Sequence, residues 1–321
     1  MMKLYQKTKL TILAFLLLFI VSCGKDTPVD ETLYQPKPIT SSSSPYISKI
    51  FEYAPAPGQF INTGLGDMPA VQSIVGKANQ GLVSLGGYGG YLIFGFDHSL
   101  ENKEGNDIGI FGNPLTGEGM EWSEPAIVMV MQDLNGNGMP DDGEWLELAG
   151  SEYGKAETIK NYKITYYKPA NVGDDILWKD NQGKQGYILV NMFYNQAYYP
   201  EWAKNQNEVS FTGTLLKNTL VDGDIITNNP FEWGYADNGS EDYKQAMDTF
   251  GKAYNSFDIS WAIDRQGKKV EIKYIDFVKV YTAQNCNGNP YEPDRNNDRS
   301  RYLGEISTEL GGAIDISLST K

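Results

Sequence analysis

The sequence predicts an all-β chain, a β-sandwich or jelly roll with long loops and one short helix. Three observations predict it. Short β-branched and aromatic runs follow one another from residue 46 onward, each bounded by Gly, Asn or Asp, which is the pattern of strands joined by tight turns. Helical spacing of apolar residues occurs in one stretch only, and a chain of many strands and few helices buries its apolar faces as packed sheets. No repeat of fixed period and no break in composition divides residues 46–321, so they are expected to form a single domain.

The first element stands apart from that domain. Lys3, Lys7 and Lys9 precede an apolar run over 10–21 that only Thr11 interrupts. The run is shorter than the roughly 20 apolar residues that span a bilayer, and its basic flank marks a secretory signal. Cys23 stands where such a signal ordinarily carries a small residue, which resembles a bacterial lipobox. That resemblance implies a signal peptide over 1–22, cleavage before Cys23, and lipid on its thiol and new amine as an outer-membrane anchor. Residues 23–45 carry prolines and a serine run at 41–44 with almost no large aliphatics, and read as a flexible tether.

Strands are then expected at 91–96, 108–111, 126–131, 162–167, 187–190, 209–215, 257–263, 270–272 and 275–281. The clean alternation over 257–263 ends at the turn residues Asp264, Arg265, Gln266 and Gly267. The helix is expected at 240–253, where Ser240 can cap it, Glu241 and Asp242 suit its first turn, and Tyr243, Met247 and Phe250 share a face. His98, following Phe96 and Asp97, reads as a turn residue.

The chain holds 41 acidic and 27 basic residues, a net charge of −14, and loses three lysines with the signal. Such a surface lacks the Lys/Arg footprint that nucleic acid requires, and it is repelled by anionic headgroups, which leaves the lipid as the membrane attachment. It suits cations and neutral ligands. A single histidine excludes a three-histidine or HExxH zinc centre. With Cys23 acylated and Cys286 the only other cysteine, no intrachain disulfide forms, and apolar burial must hold the fold.

Residues 133–144 fit D-x-[DN]-x-[DN]-G-x5-E over their full length. Calcium takes about six to eight oxygen ligands. Asp133, Asn135 and Asn137 alternate so that their oxygens converge, and Gly138 permits the reversal. Met139 offers its carbonyl, Asp141 a carboxylate or a bound water, and Glu144 two oxygens at once. The loop follows an apolar strand, unlike an EF-hand, and is expected to hold a structural Ca2+ between strands. The alternative is an Asn/Gly-rich hairpin bonding its own backbone. Two asparagines lower the ligand charge and favour the weak affinity of extracellular modules.

Aromatics are the second group, with 21 Tyr and 6 Trp. The run 193–202 does not alternate, so it cannot place every ring on one sheet face. Tyr198, Tyr199, Trp202 and, further on, Trp233 are candidate ligand platforms beside Asn and Gln amides, suited to sugar rings or a planar organic ligand. The alternative is that they plug one end of the sandwich. No GxSxG elbow, P-loop or dinucleotide fingerprint is present, and acids are so numerous that glycosidase-like carboxylate pairs arise by chance. No catalytic residue is assigned.

Residues 86–97, with Gly86, Gly87, Gly89 and Gly90 ahead of an aromatic strand, resemble a family of bacterial cell-surface lipoproteins of the PKD-associated "cell surface protein" type. The resemblance continues through 105–113, 123–130, 145–153, 257–264 and 275–282. It implies a galactose-binding-like jelly roll, surface exposure, and association with TonB-dependent uptake, including that of corrinoids. It carries over no catalytic set. The chain departs from the family in lacking an evident PKD module and in Gly143, which looks like an insertion placing Glu144 at the twelfth loop position. The expected function is a surface-anchored, non-catalytic binding module for a glycan or a bulky nutrient such as a corrinoid, partnered by a TonB-dependent transporter or another surface protein. The alternatives are an adhesive or structural role, or a glycan-active hydrolase.

Overall fold

A computed structural model describes residues 34–78, 80–288 and 298–319. The expected signal peptide, Cys23 and the first part of the expected tether lie outside the described residues. Strands dominate and helices are few and short, so the molecule is the all-β sandwich the sequence predicts.

In chain order the strands are β1 (Lys49–Ala54), β2 (Val83–Ser84), β3 (Tyr91–Glu101), β4 (Ile108–Phe111), β5 (Ala126–Met131) and β6 (Leu146–Leu148). Next come β7 (Ile159–Tyr167), β8 (Ile176–Asp180), β9 (Gln185–Ile188), β10 (Glu208–Leu215), β11 (Leu220–Val221) and β12 (Thr227–Asn228). The last are β13 (Asn255–Phe257), β14 (Ala262–Ile263), β15 (Tyr274–Thr282), β16 (Glu309–Leu310) and β17 (Gly312–Asp315).

Six strands form the main antiparallel sheet in the order β1-β3-β15-β5-β6-β14. Alternate residues of a strand face opposite sides, and the two sides are covered differently. Leu92, Phe94 and Phe96 of β3, Val128 and Val130 of β5, and Val278 and Val280 of β15 pack against Ile108 and Ile110 of β4 and Ala313 of β17. β4 is the centre of the smaller sheet β13-β4-β17. Truncating Phe94, 1% exposed there, would cost about 3–5 kcal/mol. On the far side, Ile127 and Tyr281 pack on Leu216, Phe231 and Tyr235. The sheet β10-β7-β8-β9 builds its own aromatic core from Tyr88, Tyr162, Tyr166, Tyr198 and Phe211. Tyr91 packs on both of these clusters. Burial on two sides explains why β3 and β15 read as nearly continuous apolar runs.

Four expectations change. The run 257–263 alternates but is not one strand: Asp258 accepts the Ser260 N–H at 2.7 Å and forms a 3-10 turn over Ile259–Trp261, so β13 and β14 enter different sheets. The expected strand at 270–272 has no ladder of its own. The expected helix at 240–253 is only α2, after α1 (Met68–Ser73) and before α3 (Asp298–Leu303) and α4 (Ile316–Ser319), and it spans Glu241–Gln245. Met247 bridges to Ala253, and Asp248 accepts the N–H groups of Phe250 and Lys252 in a turn. Met247 and Phe250 are 55% and 76% exposed, so their helical spacing buries nothing. His98 is no turn residue: it lies 1% exposed within β3, with Nδ1 at 2.6 Å from Asp97 and Nε2 at 2.8 Å from Asp315.

The folded unit begins at Tyr34, earlier than the expected residue 46. Tyr34 Oη donates to Asp276 Oδ2 at 2.9 Å, and Lys37 exchanges main-chain bonds with Ser99, its N–H reaching Ser99 Oγ and its carbonyl taking the Ser99 N–H. Ser44 N–H donates to Asp97. The proline and serine content of 34–45 therefore describes a strap bonded to the body.

Candidate functional site

The register of the main sheet sets one row of side chains side by side: Lys279 opposite Met129, Met129 opposite Glu147, and Glu147 opposite Ile263. Each of these alternates with residues buried in the first core, so the row lies on the far side of the sheet. The inserted sheet faces it with Lys160 and Asn161 of β7 and Thr212, Gly213 and Thr214 of β10. Between the two sheets runs a cleft of about 380 Å³, with Trp145, Tyr153 and Arg265 at its walls.

Glu147 is its central acid. Thr214 Oγ1 donates to Glu147 Oε2 at 2.7 Å. Burial raises the Glu147 carboxyl to about 7, against the opposing pull of the Thr214 hydroxyl and the Lys160 charge. Lys279 lies 3.9 Å from the centre of the Tyr91 ring, whose hydroxyl donates to Glu52, and burial lowers its ammonium from the usual range. Lys160 sits 3.5 Å over the Tyr153 ring. Gly213 is required, since a Cβ would stand 2.8 Å from Tyr281 Oη, which accepts the Thr214 N–H. Asn161 holds a left-handed φ of 55° within β7, strain of the sort that collects at functional positions. A titratable acid, a partly buried and an exposed lysine, hydroxyls and aromatic walls can hold a polar ligand by hydrogen bonds and ring contacts. A charged residue between two buried apolar ones, as in Leu146-Glu147-Leu148 and Val278-Lys279-Val280, is the sequence signal for this site.

The 133–144 loop is compact. Asp133 is 4% exposed; its N–H donates to Asp276 and its Oδ2 accepts the Gly138 N–H at 2.9 Å. Asn135 Oδ1 accepts the Asn137 N–H, and Asn137 Oδ1 the Met139 N–H. Both amide NH2 groups turn to the Asp141 carboxylate. Glu144 points elsewhere, accepting the Arg265 N–H at 3.2 Å and facing Arg265 Nε at 3.1 Å. Asp142, which the motif skips, accepts the Asn135 N–H at 2.7 Å.

The aromatic candidates separate. Tyr198 and Tyr199 are 0% and 7% exposed in the core of the inserted sheet, where Tyr198 Oη accepts the Asn191 N–H; neither is presented to a ligand. They pack there with Tyr88, Tyr162, Tyr166 and Phe211. Trp233 is half-buried against Trp261, ring centres 4.8 Å apart. Trp202 is exposed, its Nε1 donating to the Pro55 carbonyl, and it lines a separate groove of about 550 Å³ with Tyr53, Met68 and Glu201.

Among the described residues, one grouping of three carboxylates could take a metal ion: Glu124, Asp237 and Glu309, with ligand atoms within 4.8 Å of one another. Their oxygens already accept the N–H groups of Ser307, Asn113 and Glu309 and the Ser307 hydroxyl, and Glu124 and Glu309 bond each other. Burial raises all three carboxyls, which favours their neutral forms over a cluster of three anions. Comparison of the chain with protein-family models and with curated proteins finds no match.

Proposed function

We propose that this protein is a lipid-anchored component of the outer membrane that binds, without transforming it, a hydroxyl-rich ligand of sugar size in the cleft between the two sheets. The observation that carries the reading is the cross-strand row that carries Glu147 and Lys279, with Met129 between them, along the floor of a walled cleft. Glycan hydroxyls both donate and accept, and a carboxyl titrating near neutrality beside lysine donors meets both needs. A corrinoid exceeds this cleft and would rest on its mouth alone. The Cys23 lipobox resemblance supports the anchor, and hand-off to a TonB-dependent transporter is the partnership that anchor suits. The binding reading is favoured over a hydrolase because Asp264, the other acid in the cleft, accepts the Gln266 and Lys268 N–H groups in its own turn. Both bonds fall on Oδ1 and fix Asp264 to its own turn, which leaves Glu147 as the cleft acid carried on the sheet, where glycoside hydrolysis uses two.

Isothermal titration of the folded chain against a glycan panel and cobalamins tests this. Glu147→Gln, isosteric and still able to accept from Thr214, should weaken glycan binding tenfold or more, while Trp202→Ala leaves it unchanged. The reverse pattern would move the site to the Trp202 groove. Absence of heat with every glycan sinks the reading, and release of reducing ends would make the protein a hydrolase. Labelled palmitate should mark the chain and be lost in Cys23→Ala.

A further inference from the structure

We propose that residues 133–142 hold a divalent cation of calcium type, and that Asp142, in place of Glu144, closes the site. This stands independently of the cleft. Asp133 is nine-tenths buried and more; Oδ2 takes the Gly138 N–H at 2.9 Å and faces Lys37 Nζ at 3.5 Å, while Oδ1 is buried with no partner. Asp142 folds back over the same loop, its Oδ2 on the Asn135 N–H and its Oδ1 likewise buried with no partner. Asp133 is cinched to the sixth loop residue and Asp142 to the third, so both carboxylates belong to one ring of chain. An anionic oxygen shut from water with no donor is strongly unfavourable unless a cation meets it.

The donor chemistry selects the ion. The loop contains no Cys or His; it offers Asp133 and Asp142 carboxylates, the Asn135 and Asn137 amide oxygens, and the Met139 carbonyl, all hard oxygens on a flexible frame, which suits Ca2+ better than the strict octahedron of Mg2+. Glu144 is excluded by the backbone. Gly143, at φ 73°, turns the chain between Asp142 and Glu144, and Glu144 is held by Arg265 at the cleft rim.

Calcium titration calorimetry and thermal melts in Ca2+, Mg2+ or chelator decide the matter. In the wild type and in Glu144→Gln, Ca2+ should raise the melting temperature by several degrees. Asp142→Asn should weaken Ca2+ binding at least tenfold and leave the melting temperature in chelator unchanged. Should Asp133→Asn fail to fold, the Asp142 and Glu144 variants still discriminate. Loss of binding in Glu144→Gln with retention in Asp142→Asn would overturn the assignment of the closing ligand. No calcium response in the wild type would overturn the site, and an equal response to Mg2+ would overturn the calcium type.

Discussion

Glu305 is 1% exposed; its Oε1 accepts the Gln59 N–H at 2.7 Å, and its Oε2 is buried with no partner. Burial pushes its carboxyl from 4.5 up to about 8. Asp107 is raised to about 6 by the same cause, and Glu124, Asp237 and Glu309 are raised as well. The folded state therefore holds protons that the unfolded chain has released. The stability these groups contribute is fully present below the usual carboxylate range and falls as pH climbs from about 4.5 toward about 8, the window set by Glu305. His98, raised by its bonds to Asp315 and Asp97 in spite of burial, acts in the same direction: its contribution is lost as pH rises through its folded value. Thermal melts in chelator should show this fall between about pH 5 and 8, within that window, and Glu305→Gln should flatten its upper part. A Glu305→Gln melting profile with the wild-type slope would show that Glu305 is not the group responsible. Single residues were the least legible scale. The loop motif names Asp133, Asn135 and Asn137 by spacing, yet it passes over Asp142, because spacing says nothing of the turn that Gly143 makes.

Elements were legible where burial on both faces makes a nearly continuous apolar run. β5 and β15 lie close to their expected bounds, since Ala126–Met131 and Tyr274–Thr282 carry continuous β-branched runs. α1 escaped notice although Asp67 caps it, accepting the Ala70 N–H, with Pro69 in its first turn; it is short, and its apolar face is Ala70 and Val71 alone. The inserted sheet was read as strands but not as a separate layer, because its attachment depends on contacts remote in sequence. One such contact is testable. Gly89 has φ 86°, and a Cβ there would meet Phe211 Cβ of β10 at 2.3 Å. Gly89→Ala combines a left-handed alanine with overpacking and should destabilise by roughly 2–5 kcal/mol in urea titration, with an unchanged m-value. A loss below about 0.5 kcal/mol, the range of ordinary surface substitutions, would mean that the inserted sheet is not seated tightly on the main one.

At the scale of the whole molecule, the strap over 34–45 meets the loop proposed to hold a cation. Asp276 of β15 is the junction: its Oδ2 accepts both Tyr34 Oη and the Asp133 N–H, and its Oδ1 accepts Ser99 Oγ, the hydroxyl that also accepts the Lys37 N–H. Composition could not reveal this, because proline and serine are as frequent in bonded straps as in free tethers, and only the partners distinguish them. A chain starting at Tyr34 should therefore be more stable than one starting at Ile39. The difference should be roughly 2.5–6 kcal/mol, one hydrogen bond to a charged acceptor and two ordinary bonds, measured by urea titration in chelator. Removal of Lys37 also takes away the cation facing Asp133 Oδ2, so the shorter chain should gain more from added Ca2+ than the longer one. Equal stability of the two chains would return residues 34–38 to the tether, since a strap that contributes nothing to stability is a linker whatever bonds it makes.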